Sequence, residues 1–237
     1  MSAGAAVHAL LLDIEGTTSP LTFATEVLFP YARRHVRGFL ERRGSEPEVR
    51  GDLARLGEEH AADVRAGLAP PPWDGSLESA LLYVAFLMDR DRKSTGLKAL
   101  QGRIWEEGFR SGALRGDLYA DVAPAFARWR AQGRAIAIFS SGSVQAQRLV
   151  FASAPGGDLT PHLAAYFDTT TGPKREAASY RRIAAALEQA PEGVLFISDV
   201  PEELDAARAA GMQTALCVRE GQAPASAHPV LRTFDTV

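Results

Sequence analysis

Sulfhydryl chemistry is nearly absent: 237 residues include one cysteine, Cys217. A disulfide within the chain is excluded, and so is a zinc site built on cysteine pairs. This usage suits a reducing compartment and predicts a cytoplasmic location. An excess of positive charge is also missing, since 26 Lys and Arg face 29 Asp and Glu for a net charge of −3. Nothing here calls for nucleic acid or an anionic membrane surface. Long apolar runs are missing as well. AIAIF (135–139) is far too short to span a bilayer, and the N-terminus lacks the basic and apolar regions of a signal peptide. The five histidines (8, 35, 60, 162 and 228) lie far apart, and none forms an HExxH pair.

What is present is ordinary globular composition, 46% hydrophobic and 23% charged, at a length that suits one core domain with an insertion. Continuous apolar runs at 7–12, 134–141, 193–198 and 213–218, with a weaker one at 164–168, read as strands buried on both faces. Helical patterns at 121–132, 143–153, 174–190 and 201–211 lie between them. The alternation predicts an α/β fold, a Rossmann-like parallel sheet core. From 21 to 117 no strand pattern occurs. Helical stretches around 30–43, 46–67, 75–91 and 95–111 fill it, with Pro30 opening the first and RDRK (90–93) reading as a solvated helix end. The expected organisation is an α/β core of 1–20 and 118–237 with an all-helical insertion of 21–117.

Ligands of open α/β sheets bind at the carboxyl ends of the strands. LLLDIEGTTSP (10–20) puts Asp13 at such an end, Glu15 in the turn beyond, and a permissive Gly16 between them and the hydroxyls. The second strand ends in Ser140, Ser141 and Gly142 before a helix, where hydroxyls and free N–H groups suit an anion. The third ends in Ser198 and Asp199, followed by Pro201, Glu202 and Glu203. TGPKREA (171–177) puts Lys174 at a helix start. The bland readings stand beside these: Ser140 and Ser141 as helix caps, Asp199 as an N-cap, Lys174 as a surface charge, Glu203 as a complement to the helix dipole. Brought together, Asp13, Glu15 and Asp199 would repel, and such a cluster needs shifted pKa values or a cation. Oxygen ligands and a phosphate favour Mg²⁺. A carboxylate can attack phosphorus while a second carboxyl moves protons. A phospho-accepting receiver domain uses similar parts, but its acceptor lies on a later strand and it has no hundred-residue insertion.

DIEGT (13–17), SSG (140–142), Lys174 and SDVPEE (198–203), in that order, resemble the haloacid dehalogenase superfamily of phosphohydrolases. Glu15 narrows the resemblance, because most members carry aspartate two residues after the nucleophile. With LFPYAR (28–33), LQGRIWEEGF (100–109), YADVAPAF (119–126), FSSGSVQAQRLVF (139–151) and SDVPEELDAARAAGM (198–212), the chain resembles the enolase-phosphatase family of methionine salvage from about residue 7 to about 219. The resemblance implies a small phosphorylated diketone substrate, 2,3-diketo-5-methylthiopentyl-1-phosphate, enolised and then dephosphorylated. It implies Asp13 as nucleophile and Mg²⁺ ligand, with Glu15 as acid/base that touches the metal through its main-chain carbonyl. Ser140, Ser141 and Gly142 would bind substrate, Lys174 would neutralise phosphate, and Asp199 would hold the one Mg²⁺ per chain. Residues 21–117 would be a cap. The base of the enolisation stays open between Glu15 and Lys174. No apolar stripe suggests a dimer face, and a monomer is expected.

Overall fold

The computed structural model describes residues 6–92 and 94–237. Lys93 of the RDRK segment and residues 1–5 of the expected core lie outside the described residues. The chain divides into two compact units, Ala24–Leu114 and the remainder, formed by the residues up to Phe23 with Arg115–Val237.

The first unit is helical: α1 (Phe29–Arg43), α2 (Pro47–Arg65), α3 (Leu77–Asp89) and α4 (Thr95–Arg110). Its core holds Phe39, Leu56, Tyr83, Leu87, Leu100 and Ile104, all buried. Pro30 lies in the first turn of α1, as expected of a helix opener, and a π-helical turn, Phe23–Leu28, precedes that helix directly. Polar groups lock the interior. Glu59 on α2 accepts the N–H groups of Thr95 (2.9 Å) and Gly96 (3.1 Å) and the Ser94 hydroxyl, capping α4. Buried Asp63 accepts the Tyr83 hydroxyl (2.9 Å) and Arg92 Nη2 (2.6 Å). Residues 90–92 are exposed just past the end of α3, as expected, and Arg92 also tethers that end to α2.

The second unit is the parallel α/β fold. Its strands are β1 (Ala9–Leu12), β2 (Ala135–Phe139), β3 (Ala165–Phe167), β4 (Val194–Ser198), β5 (Gln213–Cys217) and β6 (Val230–Leu231). They lie in the order β3-β2-β1-β4-β5-β6, and every pairing is parallel. Helices α5 (Val122–Ala131) and α6 (Val144–Ala152) cover one face with Phe126, Trp129 and Phe151 against Leu10 and Leu12. Helices α7 (Ala177–Ala186) and α8 (Pro201–Ala209) cover the other with Tyr180, Ile183 and Leu204 against Leu11 and Phe196. Both faces of β1 are thus dry, which is why ALLL carries no alternation. The tail adds β6 and one 3-10 turn, Phe234–Thr236, that buries Phe234 against Trp129 at a centroid distance of 5.4 Å. Neither was evident in the sequence. No helix of the described residues is long and apolar enough to cross a membrane.

Phe196 is fully buried on β4 at the centre of one core. Phe196→Ala is expected to lower stability by about 3–5 kcal/mol, read as a drop in the urea midpoint of sheet unfolding.

Candidate active site

β1 hands its last ladder bond to Asp13, whose N–H donates to the Ile197 carbonyl at 3.0 Å. The chain then curls around one acceptor. The Ile14 carbonyl takes the N–H groups of Thr17 (3.1 Å), Thr18 (2.9 Å) and Ser19 (2.9 Å). Gly16 makes the curl possible with φ +72°, and a Cβ there would lie 2.3 Å from Asp199 Oδ2. Glycine therefore serves twice, as the left-handed residue and as the space that lets the β4 carboxylate approach the turn.

Adjacent β1 and β4 bring their ends together around Lys174. Asp13 is 3% exposed. Its Oδ1 accepts the Ile14 N–H at 2.7 Å, and its Oδ2 accepts Lys174 Nζ at 2.8 Å and the Ser198 hydroxyl at 3.1 Å. The same ammonium donates to Glu203 Oε2 at 2.7 Å. Lys174 does not start a helix, as α7 begins at Ala177. It sits in a loop pinned by Ser179 Oγ on the Pro173 carbonyl and by the Tyr180 hydroxyl on its own carbonyl, each at 2.7 Å. Burial pulls the Lys174 pKa down, but the Asp13 and Glu203 carboxylates outweigh it and hold the pKa above the ordinary lysine value. The group is an ammonium.

The remaining acids respond to burial and to Asp13. Burial first, then Asp13, raise Glu15 above the usual carboxylate range, partly offset by Lys174. The same two causes push Asp199 up to about 6 and Glu203 up to about 7. No group of three His, Cys, Asp or Glu side chains among the described residues is arranged to hold a metal ion. The donors that fit a hard cation are the Asp13 and Asp199 carboxylates, brought together at the ends of β1 and β4, and the Glu15 carbonyl. An all-oxygen set of this kind, under mutual repulsion, suits Mg²⁺.

β2, on the other side of β1, ends nearby. The Phe139 ring centroid lies 5.7 Å from Lys174 Nζ. Ser140 is buried, and its hydroxyl accepts the Gly142 N–H at 3.1 Å, while Ser141 is exposed. The first N–H groups of α6 are already engaged: Val144 with Asp168 (3.4 Å) and Ala146 with Ser143 (3.2 Å). Ser143 is the helix cap, so Ser140 and Ser141 are not caps. Gln147 Nε2 donates to the Gly142 and Phe167 carbonyls (2.9 and 2.8 Å) and fixes the loop from behind.

Sequence reasoning left Ser198 and Gln147 without roles and gave Glu203 no firm one. Glu203, four residues after Asp199 on the first turn of α8, carried the one readable signal. Ser198 and Gln147 act through local contacts that spacing does not encode.

A family model described as haloacid dehalogenase-like hydrolase matches residues 7–211. The chain is 58% identical over 218 residues to a protein of Synechococcus elongatus named Enolase-phosphatase E1, covering 92% of this chain and 91% of that one. It is 47% identical over 231 residues to the Azotobacter vinelandii protein of the same name, covering 98% and 97%. Among solved structures it is similar to the UTR4 protein of Saccharomyces cerevisiae, with a TM-score of 0.79 and 32% identity over 98% of this chain and all of that one.

The raised Asp199 pKa has a consequence for stability. An aspartate at about 6 when folded and 3.8 in its ordinary state is held protonated more tightly by the native chain. Its stabilising contribution is complete below about pH 4 and is lost as pH rises through 6. Asp199→Asn, in EDTA at pH 7.5, is expected to raise stability by on the order of 2 kcal/mol. The gain should vanish near pH 4, read by thermal melts across the range.

Proposed function

This chain belongs to the haloacid dehalogenase-like hydrolases, and from that premise we propose that it is the enolase-phosphatase of methionine salvage, acireductone synthase. It converts 2,3-diketo-5-methylthiopentyl-1-phosphate to acireductone and phosphate. The observation that carries the reading is the 58% identity to a relative of that name over nine-tenths of the chain. The chemistry is supported by an Asp13 carboxylate buried against an ammonium.

Lys174, kept as an ammonium by two carboxylates, cannot take a proton. The base of the enolisation is then Glu15, whose raised pKa strengthens it. Glu15 takes the proton from C1, and negative charge moves to the neighbouring carbonyl oxygen, facing the positive field of Lys174. The proton Glu15 now holds is the one the next step needs. An Asp13 oxygen forms a bond to phosphorus, the bond from phosphorus to the C1 oxygen breaks, and Glu15 protonates that leaving oxygen. Water then gives a proton to Glu15, its oxygen attacks phosphorus, and the phosphorus bond to Asp13 breaks. Phosphate leaves, Asp13 is a carboxylate again, and Glu15 gives its proton to the enolate oxygen, which completes the acireductone. Ser140, Ser141 and Gly142 hold the phosphoryl oxygens.

Haloacid dehalogenase-like hydrolases use Mg²⁺ in general. One ion per chain would be held here by Asp13, Asp199 and the Glu15 carbonyl. When bound it supplies positive charge to the phosphoryl oxygens and quenches the repulsion between the two aspartates. The substrate class is a phosphorylated small molecule. We assign the inserted helical unit the work of a lid that excludes water during the reaction, and take the enzyme to act as a monomer in the cytoplasm.

Anaerobic incubation of the purified chain with the diketo phosphate and Mg²⁺ is expected to release phosphate together with an enediol chromophore. Comparable turnover of many simple phosphate esters without the chromophore would refute the assignment. Asp13→Asn is expected to lower kcat by about 10³-fold or more with the fold retained by circular dichroism, because the nucleophile is lost. Glu15→Gln should abolish the chromophore, since it removes the base.

A further inference from the structure

The turn that carries Asp13 and Glu15 is held from its outer side by a residue outside every motif noted above. Arg219, just beyond β5, donates Nε (2.8 Å) and Nη2 (2.6 Å) to the Thr17 carbonyl. Its third donor, Nη1, meets Asp121 Oδ2 at 2.7 Å. The guanidinium lies 4.4 Å from the ring centroids of both Tyr119 and Phe234. The side chain is 7% exposed. The next carbonyl, of Thr18, accepts the Tyr119 N–H at 3.1 Å, and Asp121 Oδ2 also accepts the Phe234 N–H at 2.6 Å.

We infer that Arg219 is a positioning residue for the reaction, fixing the Asp13–Ser19 turn through the Thr17 carbonyl. The inference rests on the reading that Asp13 and Glu15 carry the chemistry. Three facts support it. The fork of two charge-assisted bonds on one carbonyl sets the orientation of that peptide, which a single neutral donor does not. The Thr17 and Ser19 hydroxyls are buried with no partner within the described residues, so they lend the turn little support of their own. The guanidinium itself cannot drift, because two rings and Asp121 confine it. The tail thereby gains a purpose: Phe234 and the Arg232 carbonyl, which accepts Nη1 at 3.4 Å, close the seat in which Arg219 sits.

A lysine at 219 keeps the charge but offers no planar fork, and a glutamine keeps polarity without charge. Arg219→Lys is expected to lower kcat about 10-fold and Arg219→Gln about 100-fold, with KM changed less than about threefold, as for a displaced reactive group. Hydrogen exchange should quicken in peptides spanning 13–19 and stay unchanged in α7. Val194→Ala is the control. It trims a buried side chain at the start of β4, in the core on the other face of the sheet from Trp129 and Phe234. It should lower Tm while leaving kcat within twofold. The inference is overturned if both Arg219 variants melt lower with wild-type kcat, if Val194→Ala loses as much kcat, or if exchange at 13–19 is unaltered. Should Arg219→Gln fail to fold, the lysine variant decides alone. A wild-type chain inert on the diketo phosphate overturns the function reading instead, and the exchange measurement still decides this one.

Discussion

One buried ammonium between two carboxylates is the constraint on which the centre depends. Among the described residues Lys174 is the cation that acts on Asp13, Glu15, Asp199 and Glu203, and it touches two of them. Burying a charge costs several kcal/mol unless partners and hydrogen bonds compensate. Here they do so incompletely. One ammonium cannot neutralise four acids, and the surplus appears as the raised pKa values of Glu15, Asp199 and Glu203. The site thus holds unspent electrostatic repulsion, which a divalent cation would relieve under the proposed function. The same crowding raises Glu15, the acid to which that proposal gives the proton transfers.

The scaffold serves this crowding. Parallel order places β2 and β4 on either side of β1, so three strand ends open toward one place. Each end contributes in its own way. β1 supplies the two carboxylates of the turn, β4 the Ser198 hydroxyl and Asp199, and β2 the serine loop braced by Gln147. Gly16 is the point where two of these ends come closest, and it is the one residue there that no other type can replace.

Much of this was legible in the sequence. The strands were readable because β1, β2 and β4 are covered on both faces and so are apolar without interruption. DIEGT and SDVPEE were readable because each follows an apolar run and they stand in one order with SSG and Lys174. Other features were written in contacts and not in order. Lys174 looked like a helix start because Pro173 precedes an alanine-rich run. Two hydroxyls, those of Ser179 and Tyr180, hold it instead in a loop. The bond from Arg92 to Asp63 was not readable, because that partner lies on another helix. Arg219 gave no signal, since its work depends on a carbonyl, which every residue has.

The position of β1 also dictates when the catalytic centre can come into being. Its first partner strand begins at Ala135 and its second at Val194. A chain emerging from the ribosome therefore exposes a wholly apolar strand that has no partner strand until synthesis has passed Ala135. The helical unit between them closes through nearer contacts and can mature in the meantime, as local topologies fold faster. Asp13, which follows β1 directly, is therefore set in place only after the later strands β2 and β4 have been made.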